Sequence, residues 1–242
     1  MKNTEVALAI KGAFSNQTTI NSKELVLFLS SLFPELSTKT IPWKINQLKA
    51  ENLIYQTGRG LYTFDFKPEF NPEVSLKSKR IYNKTKSFVA TDLVVWDTEM
   101  LDLIIDKVSE KRTTFLSVQK DELNELFDQM QSMSKPVYLE PNHEIIQRYI
   151  IPQNDVVLLY QLISETPTQQ NGDYMLPAIE GILVNAWLLS ENYLKPLDYS
   201  ISEIFENAFR KYNVNKNKLL RYASRRDQRK EIEQLIQTIY ND

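Results

Sequence analysis

Hydrophobic residues near the start of the chain recur three or four positions apart, which is the spacing of an amphipathic helix. This pattern predicts one helix over residues 5–14 and another over residues 23–33. Ser22 suits the N-cap of the second helix, because its hydroxyl can accept a backbone N–H that has no partner within the helix. Pro34 is expected to end that helix.

Residues 37–64 predict a third helix that is followed at once by a short hairpin. A buried helix face is indicated by three apolar residues at helical spacing, Ile41, Ile45 and Leu48. The pattern then changes to two short strands on either side of Gly58-Arg59-Gly60. Three helices and a hairpin in about 65 residues have the size of one small domain, and their order predicts a winged helix-turn-helix.

The polar side of this third helix predicts a contact with DNA. At about 100° per residue, polar side chains project away from the buried face, and an arginine between two glycines at the hairpin tip can reach phosphate or the minor groove. The candidate DNA-binding residues are Lys39, Thr40, Trp43, Lys44, Asn46, Gln47 and Arg59. Two alternatives stay open: such a module can bind protein instead, and Trp43 can pack under the hairpin rather than touch DNA.

Beyond the hairpin, residues 67–87 are expected to form a basic linker, since Pro68 and Pro72 interrupt regular structure. From residue 88 the pattern alternates between strands and helices. Strands are expected over 88–96, 113–118, 136–139 and 156–163, helices over 99–108 and 121–130, and a polar loop over 166–173. This alternation predicts an α/β domain with a mixed sheet.

The last part of the chain predicts three helices, over residues 178–189, 202–212 and 215–240, with Ser202 as the N-cap of the second. The predicted fold class is therefore α+β. The expected domains are a winged helix-turn-helix over residues 1–66, the basic linker over 67–87, and an α/β domain with a helical C-terminal part over 88–242.

The net charge of −2 conceals a strong segregation of charge along the sequence. Residues 91–206 carry a net charge of −13, whereas residues 210–230 carry nine bases against one acid. Because local patches attract phosphate whatever the total charge, a second candidate nucleic-acid contact is the basic stripe Arg221, Arg225 and Arg229. The alternative is a solvated helix face with local ion pairs, although nine bases and one acid cannot all pair within that segment.

Composition narrows the class of protein. The absence of cysteine excludes disulfides and suits a reducing cytoplasm. The sequence contains no run of about 18 apolar residues, the length that a helix needs to span a bilayer. The apolar run over residues 6–10 is too short for a signal peptide. We therefore expect a cytoplasmic protein.

No complete catalytic or cofactor-binding pattern is present, so no enzyme, metal site or cofactor is predicted. His143 is the single histidine, and neither a phosphate-binding glycine loop nor a nucleophile elbow occurs. The nearest pattern is the motif of a metal-dependent nuclease, which would begin with Asp92 or Asp97 and end with Lys120. The motif needs a second carboxylate at position 118 to bind the metal, but that residue is Val118. An exposed acidic face is expected instead for Asp97, Glu99, Asp102 and Asp106.

Four segments, in order along nearly the whole chain, resemble the AbiEi antitoxins of type IV toxin–antitoxin systems: GRGLY, VVWDTEML, PAIEGILVNAWLL and NKNKLLRYASRRDQRKEIEQLI. The resemblance implies a winged DNA-binding domain that represses its own operon. It places the DNA-contacting helix over residues 39–47 and the wing at Arg59. It also implies a C-terminal domain that counteracts a nucleotidyltransferase-like toxin without a stable complex. The sequence departs from the family after Glu180, with Gly181 in place of lysine and Asn185 in place of aspartate.

The expected function is thus that of a DNA-binding autorepressor and antitoxin in an abortive-infection system. Its expected partners are operator DNA, as an inverted repeat read by two copies, and functionally the toxin. The alternative is a winged-helix transcription regulator whose C-terminal domain binds a partner or a ligand, with no toxin involved.

Overall fold

The computed structural model describes residues 1–37, 39–132 and 135–241 and confirms the α+β fold class. The chain divides into two compact units, Met1–Pro68 and Glu69–Asp242, called the first and the second unit below. Each unit has its own hydrophobic core.

The first unit contains three helices and a small antiparallel sheet. The helices are α1 (Asn3–Ala13), α2 (Ser22–Leu32) and α3 (Ile41–Ala50), and the strands are β1 (Ile20–Asn21), β2 (Tyr55–Gly58) and β3 (Leu61–Thr63). Strand β3 lies between β1 and β2. The N-cap of α2 is Asn21 rather than the predicted Ser22, because the Asn21 side chain accepts the Lys23 N–H at 2.8 Å.

The core of the first unit is built from the apolar faces of the three helices. Val6, Ile10, Leu25 and Leu29 have no exposed surface, and the buried face of α3 packs in the same cluster. The periodic positions in the sequence are therefore the positions that are buried.

The second unit is built on a six-stranded mixed sheet in the order β6-β7-β5-β4-β9-β8. The pairs β6/β7, β5/β7 and β4/β9 are parallel, and β4/β5 and β8/β9 are antiparallel. The strands are β4 (Val94–Asp97), β5 (Arg112–Val118), β6 (Val137–Leu139), β7 (Asp155–Gln161), β8 (Thr168–Asn171) and β9 (Tyr174–Pro177). Residues 166–173 were expected to be a loop, but they contain β8, whose polar residues pair with β9.

Helices surround this sheet. They are α4 (Leu76–Lys86), α5 (Thr98–Ile105), α6 (Leu123–Met130), α7 (His143–Ile145), α8 (Ile179–Leu189), α9 (Ile201–Lys211), α10 (Lys216–Arg225) and α11 (Arg229–Asn241). A π-helical turn, Ile146–Ile150, continues α7 and another, Ser190–Leu194, continues α8. The N-cap of α9 is Ser200 rather than the predicted Ser202.

The predicted linker over residues 67–87 is wrong, because most of it is helix α4 in the second unit. Ser75 caps this helix by accepting the Ser78 N–H at 3.2 Å. The helix then buries Ser78, Ile81, Tyr82 and Thr85. Its basic residues occupy the outer positions of a packed element.

Candidate nucleic-acid interface

Helix α3 separates an apolar face from a polar one. Ile41, Ile45 and Leu48 are at most 3% exposed, which fixes the rotation of the helix about its axis. At the remaining positions Asn46 is exposed and Gln47 is half-buried. Both side chains end in an amide that can donate and accept hydrogen bonds, as the edge of an adenine requires.

Trp43 is the most exposed large side chain of this helix, with 59% of its surface accessible. It therefore does not pack beneath the hairpin, which was one of the two predicted alternatives. Burying this indole against a partner would remove a large apolar area from water, at about 25 cal/mol per Å².

Lys39 and Thr40 precede the helix rather than belong to it. Thr40 occupies the N-cap position without a capping side-chain bond, because its hydroxyl lies 2.9 Å from that of Ser37. Lys39 is exposed in the turn before the helix. The start of a helix favours negative charge, so these two residues stand at the end of α3 that is best suited to phosphate.

The hairpin between β2 and β3 presents Arg59. Gly60 allows the tight tip because its φ is +72°, and its carbonyl accepts the Ser22 N–H at 2.7 Å. This bond holds the base of the tip against the start of α2. Arg59 itself is exposed, so the hairpin tip presents a long cationic side chain to solvent.

A polar link between α3 and the hairpin was not predicted from the sequence. Lys49 donates to the Gln56 side chain at 2.6 Å, and Gln56 donates to the Gly58 carbonyl at 3.1 Å. A β-bulge separates Gln56 and Gly58 in the strand register. The link ties the end of α3 to the base of the tip, and no short-range pattern reveals it because its ends belong to different elements.

Three cations of this surface have no acidic partner in the part of the chain that the structure describes. Within the described residues, Lys39, Lys44 and Arg59 form no ion pair with a carboxylate. Lys44 lies 5.6 Å from the centroid of the Phe33 ring, within the range of a cation–π contact. The charge of these three residues is therefore available to a polyanion.

The predicted basic stripe at the C-terminus is not one continuous helix face. Asp227 adopts a left-handed conformation, φ +55°, and separates α10 from α11. Arg221 and Arg225 both pair with Glu165, at 3.7 and 2.6 Å, whereas Arg229 lies 3.9 Å from Glu233. The Arg225 hydrogen bond holds the pKa of the Glu165 carboxyl below its ordinary range.

Bases that cannot all pair within this segment are thus partly matched by acids from elsewhere in the unit. Glu180, itself 4% exposed, takes a further base of α10, Lys218, at 3.2 Å. Its other carboxylate oxygen accepts the Asn215 N–H at 2.9 Å, just before the helix begins.

Two members of the predicted acidic face are buried rather than exposed. Asp97 is 2% exposed and accepts the Ser78 hydroxyl at 2.7 Å. Asp102 is 6% exposed and accepts from Tyr199 at 2.6 Å and Arg112 at 2.9 Å. Burial and the bond to Asp102 raise the pKa of the Tyr199 hydroxyl. These carboxylates hold the sheet and its helices together.

The other residues weighed for chemistry lie apart. Asp92 and Lys120 are exposed, and His143 contacts the Asn192 side chain at 2.9 Å through Nδ1. Within the described ranges, no three acidic or histidine side chains lie close enough to hold a metal ion. In the same part of the chain, none of the helices has the length and apolar character to cross a membrane.

Comparison with known proteins connects the chain to one family. Residues 40–242 match the family of unknown function DUF6577, a span that runs from the start of α3 through the second unit. No curated protein is similar enough to the chain to count as a match. Because the matched region covers most of the sequence, the chain belongs to the DUF6577 family.

Proposed function

We propose that the protein is a DNA-binding transcription regulator that uses the first unit as a winged helix-turn-helix. The observation that carries the proposal is the polar face of α3 together with an arginine on a glycine-flanked tip, with three cations that have no carboxylate partner among the residues that the structure describes. The element order of the first unit and the pairing of β1 with β3 agree with a winged helix. An α-helix fits the major groove of B-DNA.

The proposed contacts divide by chemistry. Lys39, Lys44 and Arg59 neutralise phosphates and supply most of the affinity, as cations do in protein–DNA complexes. Asn46 and Gln47 read base edges, because their amides match the donor and acceptor pattern of adenine. Trp43 contributes apolar contact. We further propose that two copies bind an inverted repeat with half-sites about 10 base pairs apart.

The resemblance to AbiEi antitoxins extends this proposal to the role of the regulator. On that basis, the protein represses its own operon and its second unit counteracts a nucleotidyltransferase-like toxin in the cytoplasm. Two features bear on the departures from the family. A Cβ atom on Gly181 would lie 2.8 Å from the Pro167 carbonyl oxygen, so a lysine does not fit here without a backbone shift. Glu180 is engaged in the ion pair and the backbone contact of α10.

The DNA proposal is tested by fluorescence anisotropy of the full chain on DNA from upstream of its own gene, with random DNA of equal length as control. We expect a preference for the upstream DNA and an affinity that falls steeply as salt rises. Equal affinity for both DNAs would contradict sequence-specific regulation and favour a protein-binding role for the first unit.

The antitoxin role needs a separate experiment. The experiment first looks for a nucleotidyltransferase-like gene beside the gene for this chain. That gene is then placed under an inducible promoter and expressed either alone or together with the full chain. We expect growth arrest by the toxin and rescue by the full chain. The absence of such a gene, or of rescue when both proteins accumulate, would contradict the role and leave the DNA proposal intact.

A further inference from the structure

A cavity of about 270 Å³ opens within the second unit. The sheet contributes residues of β4, β5, β7 and β9 to its wall, and α8 and α10 contribute others. Its volume lies near the lower end of the range of small-molecule sites, about 300–1,000 Å³. It therefore suits a ligand of one or two rings.

The sheet side of the cavity contains two aromatic side chains. Trp96 and Phe115 stack with ring centroids 4.1 Å apart and an angle of 12° between the planes. Both are at most 3% exposed, so neighbouring side chains hold them rigidly. Apolar side chains complete this part of the wall: Val94, Ile146, Pro177, Leu188 and Leu189. A planar, apolar group fits this surface.

A short chain of polar groups forms another part of the wall. The Tyr222 hydroxyl donates to Asn185 Oδ1 at 3.2 Å, and Arg226 Nη1 donates to the Tyr222 oxygen at 3.4 Å. The oxygen of Asn185 is therefore in use, whereas its amide N–H groups have no partner among the described residues. These three side chains therefore offer the cavity hydrogen-bond donors rather than acceptors.

Arg226 is the charged member of the wall. It is half-buried, and it forms no ion pair with any carboxylate in the described part of the chain. The adjacent Arg225 points to a different environment, since it pairs with Glu165 and does not line the cavity. A partly desolvated guanidinium without an anion is costly, and a bound carboxylate would match it through two parallel hydrogen bonds.

Tyr160 adds a further donor to this wall. Its hydroxyl has no hydrogen-bond partner within the described residues. Burial raises the pKa of this hydroxyl, an effect that Glu140 adds to and Arg226 opposes, so the phenol stays protonated at neutral pH. Glu140 does not line the cavity, and its Oε1 accepts the Gln161 N–H at 3.1 Å.

From this arrangement we propose that the cavity binds a small aromatic carboxylate. The ring lies against the apolar wall beside Trp96 and Phe115, and the carboxylate accepts from Arg226 and Tyr160. Asn185 donates a further hydrogen bond to the same carboxylate. The site is independent of DNA binding by the first unit, and it gives the second unit a means of responding to a metabolite.

The test is calorimetric titration of the full chain with benzoate and indole-3-acetate, and with benzamide and indole-3-acetamide as uncharged controls. We expect at least one acid to bind at least tenfold more tightly than its amide. Failure of both acids to bind, or equal affinity of each acid and its amide, would overturn the proposal. Neither outcome depends on DNA binding.

Adjacent arginines provide the matched variants. Arg226→Gln is expected to remove the preference for the acid, and Arg225→Gln to keep it, with the unfolding midpoint confirming that each variant is folded. Asn185→Asp gives an independent check, because a carboxylate beside Tyr222 would repel the ligand and lower the affinity for the acid at least tenfold. An unchanged affinity in Asn185→Asp, or equal losses in the two arginine variants, would contradict the assignment.

Discussion

The first unit and the helices α10 and α11 of the second unit both carry a local excess of positive charge, but their cations have different surroundings. In the turn before α3 and at the hairpin tip, Lys39 and Arg59 have no carboxylate partner within the described residues. On α10, Arg221 and Arg225 share Glu165, and Lys218 reaches Glu180. Both regions have an excess of bases in the sequence. They differ in the part of the fold that the structure describes, where these cations of one region form ion pairs and those of the other do not.

This difference separates two uses of basic residues. An exposed ion pair contributes little to stability, with a median of about 0–1 kcal/mol, but it does lower the local potential that attracts phosphate. Unpaired cations on a rigid surface retain that potential. This difference supports the proposal that the first unit contacts DNA, whereas the bases of α10 have a structural role.

Separating the two units gives the largest expected effect. A fragment of residues 69–242 is expected to lose all preference for the upstream DNA, whereas a fragment of residues 1–68 keeps it. Anisotropy titrations measure both, and circular dichroism shows that each fragment is folded. Retention of the preference by residues 69–242 would reverse the comparison.

Removal of a buried acid comes next in size. Glu180→Ala leaves the Asn215 N–H and the Lys218 ammonium without their partner, so we expect it to lower the free energy of unfolding of the second unit by about 2–4 kcal/mol. Chemical denaturation measures the change. Glu206→Ala, at an exposed position of the same unit, serves as the control and should change stability little. Equal effects would show that the contacts of Glu180 do not stabilise the fold.

A single base-reading contact is worth less. Gln47→Ala is expected to weaken binding to the upstream DNA by about 1–3 kcal/mol, while binding to random DNA stays nearly constant. The same titration on both DNAs tests this. An equal loss on both would assign Gln47 to the phosphate backbone instead.

The smallest effect is expected where an acid is removed beside paired cations. Glu165→Gln frees Arg221 and Arg225, so affinity for random DNA should rise by about two- to fivefold at low salt, and the preference for upstream DNA should not change. A gain of preference would mean that α10 takes part in specific recognition.

The periodic apolar positions of α3 allowed its buried and polar faces to be predicted from the sequence. Gly58 and Gly60 allowed the position of the hairpin turn to be predicted. The linker over residues 67–87 was predicted wrongly, because α4 buries two polar residues, Ser78 and Thr85, on its inner face. Ser78 bonds to the Asp97 carboxylate, a contact that hydropathy does not reveal. The final helix was predicted as continuous because Asp227, at a left-handed position, interrupts it without proline or glycine.

Contacts between distant segments account for the remaining differences. Glu165 and the two arginines that it pairs with are about 60 residues apart in sequence, and the cavity collects residues of four strands, β4, β5, β7 and β9, and of helices α8 and α10. Strand β8 is polar because it lies at the edge of the sheet. None of these relations leaves a short-range pattern, so only the folded chain reveals them.

The most direct test of this account compares two double variants of the full chain with equal loss of charge, Lys39→Gln/Arg59→Gln and Arg221→Gln/Arg225→Gln. Binding to the upstream DNA is measured across a salt series. We predict that the first variant reduces the slope of log affinity against log salt by about two, one for each lost phosphate contact, and that the second leaves the slope unchanged. Equal changes in both variants, or a change confined to the second, would contradict the assignment of DNA binding to the first unit.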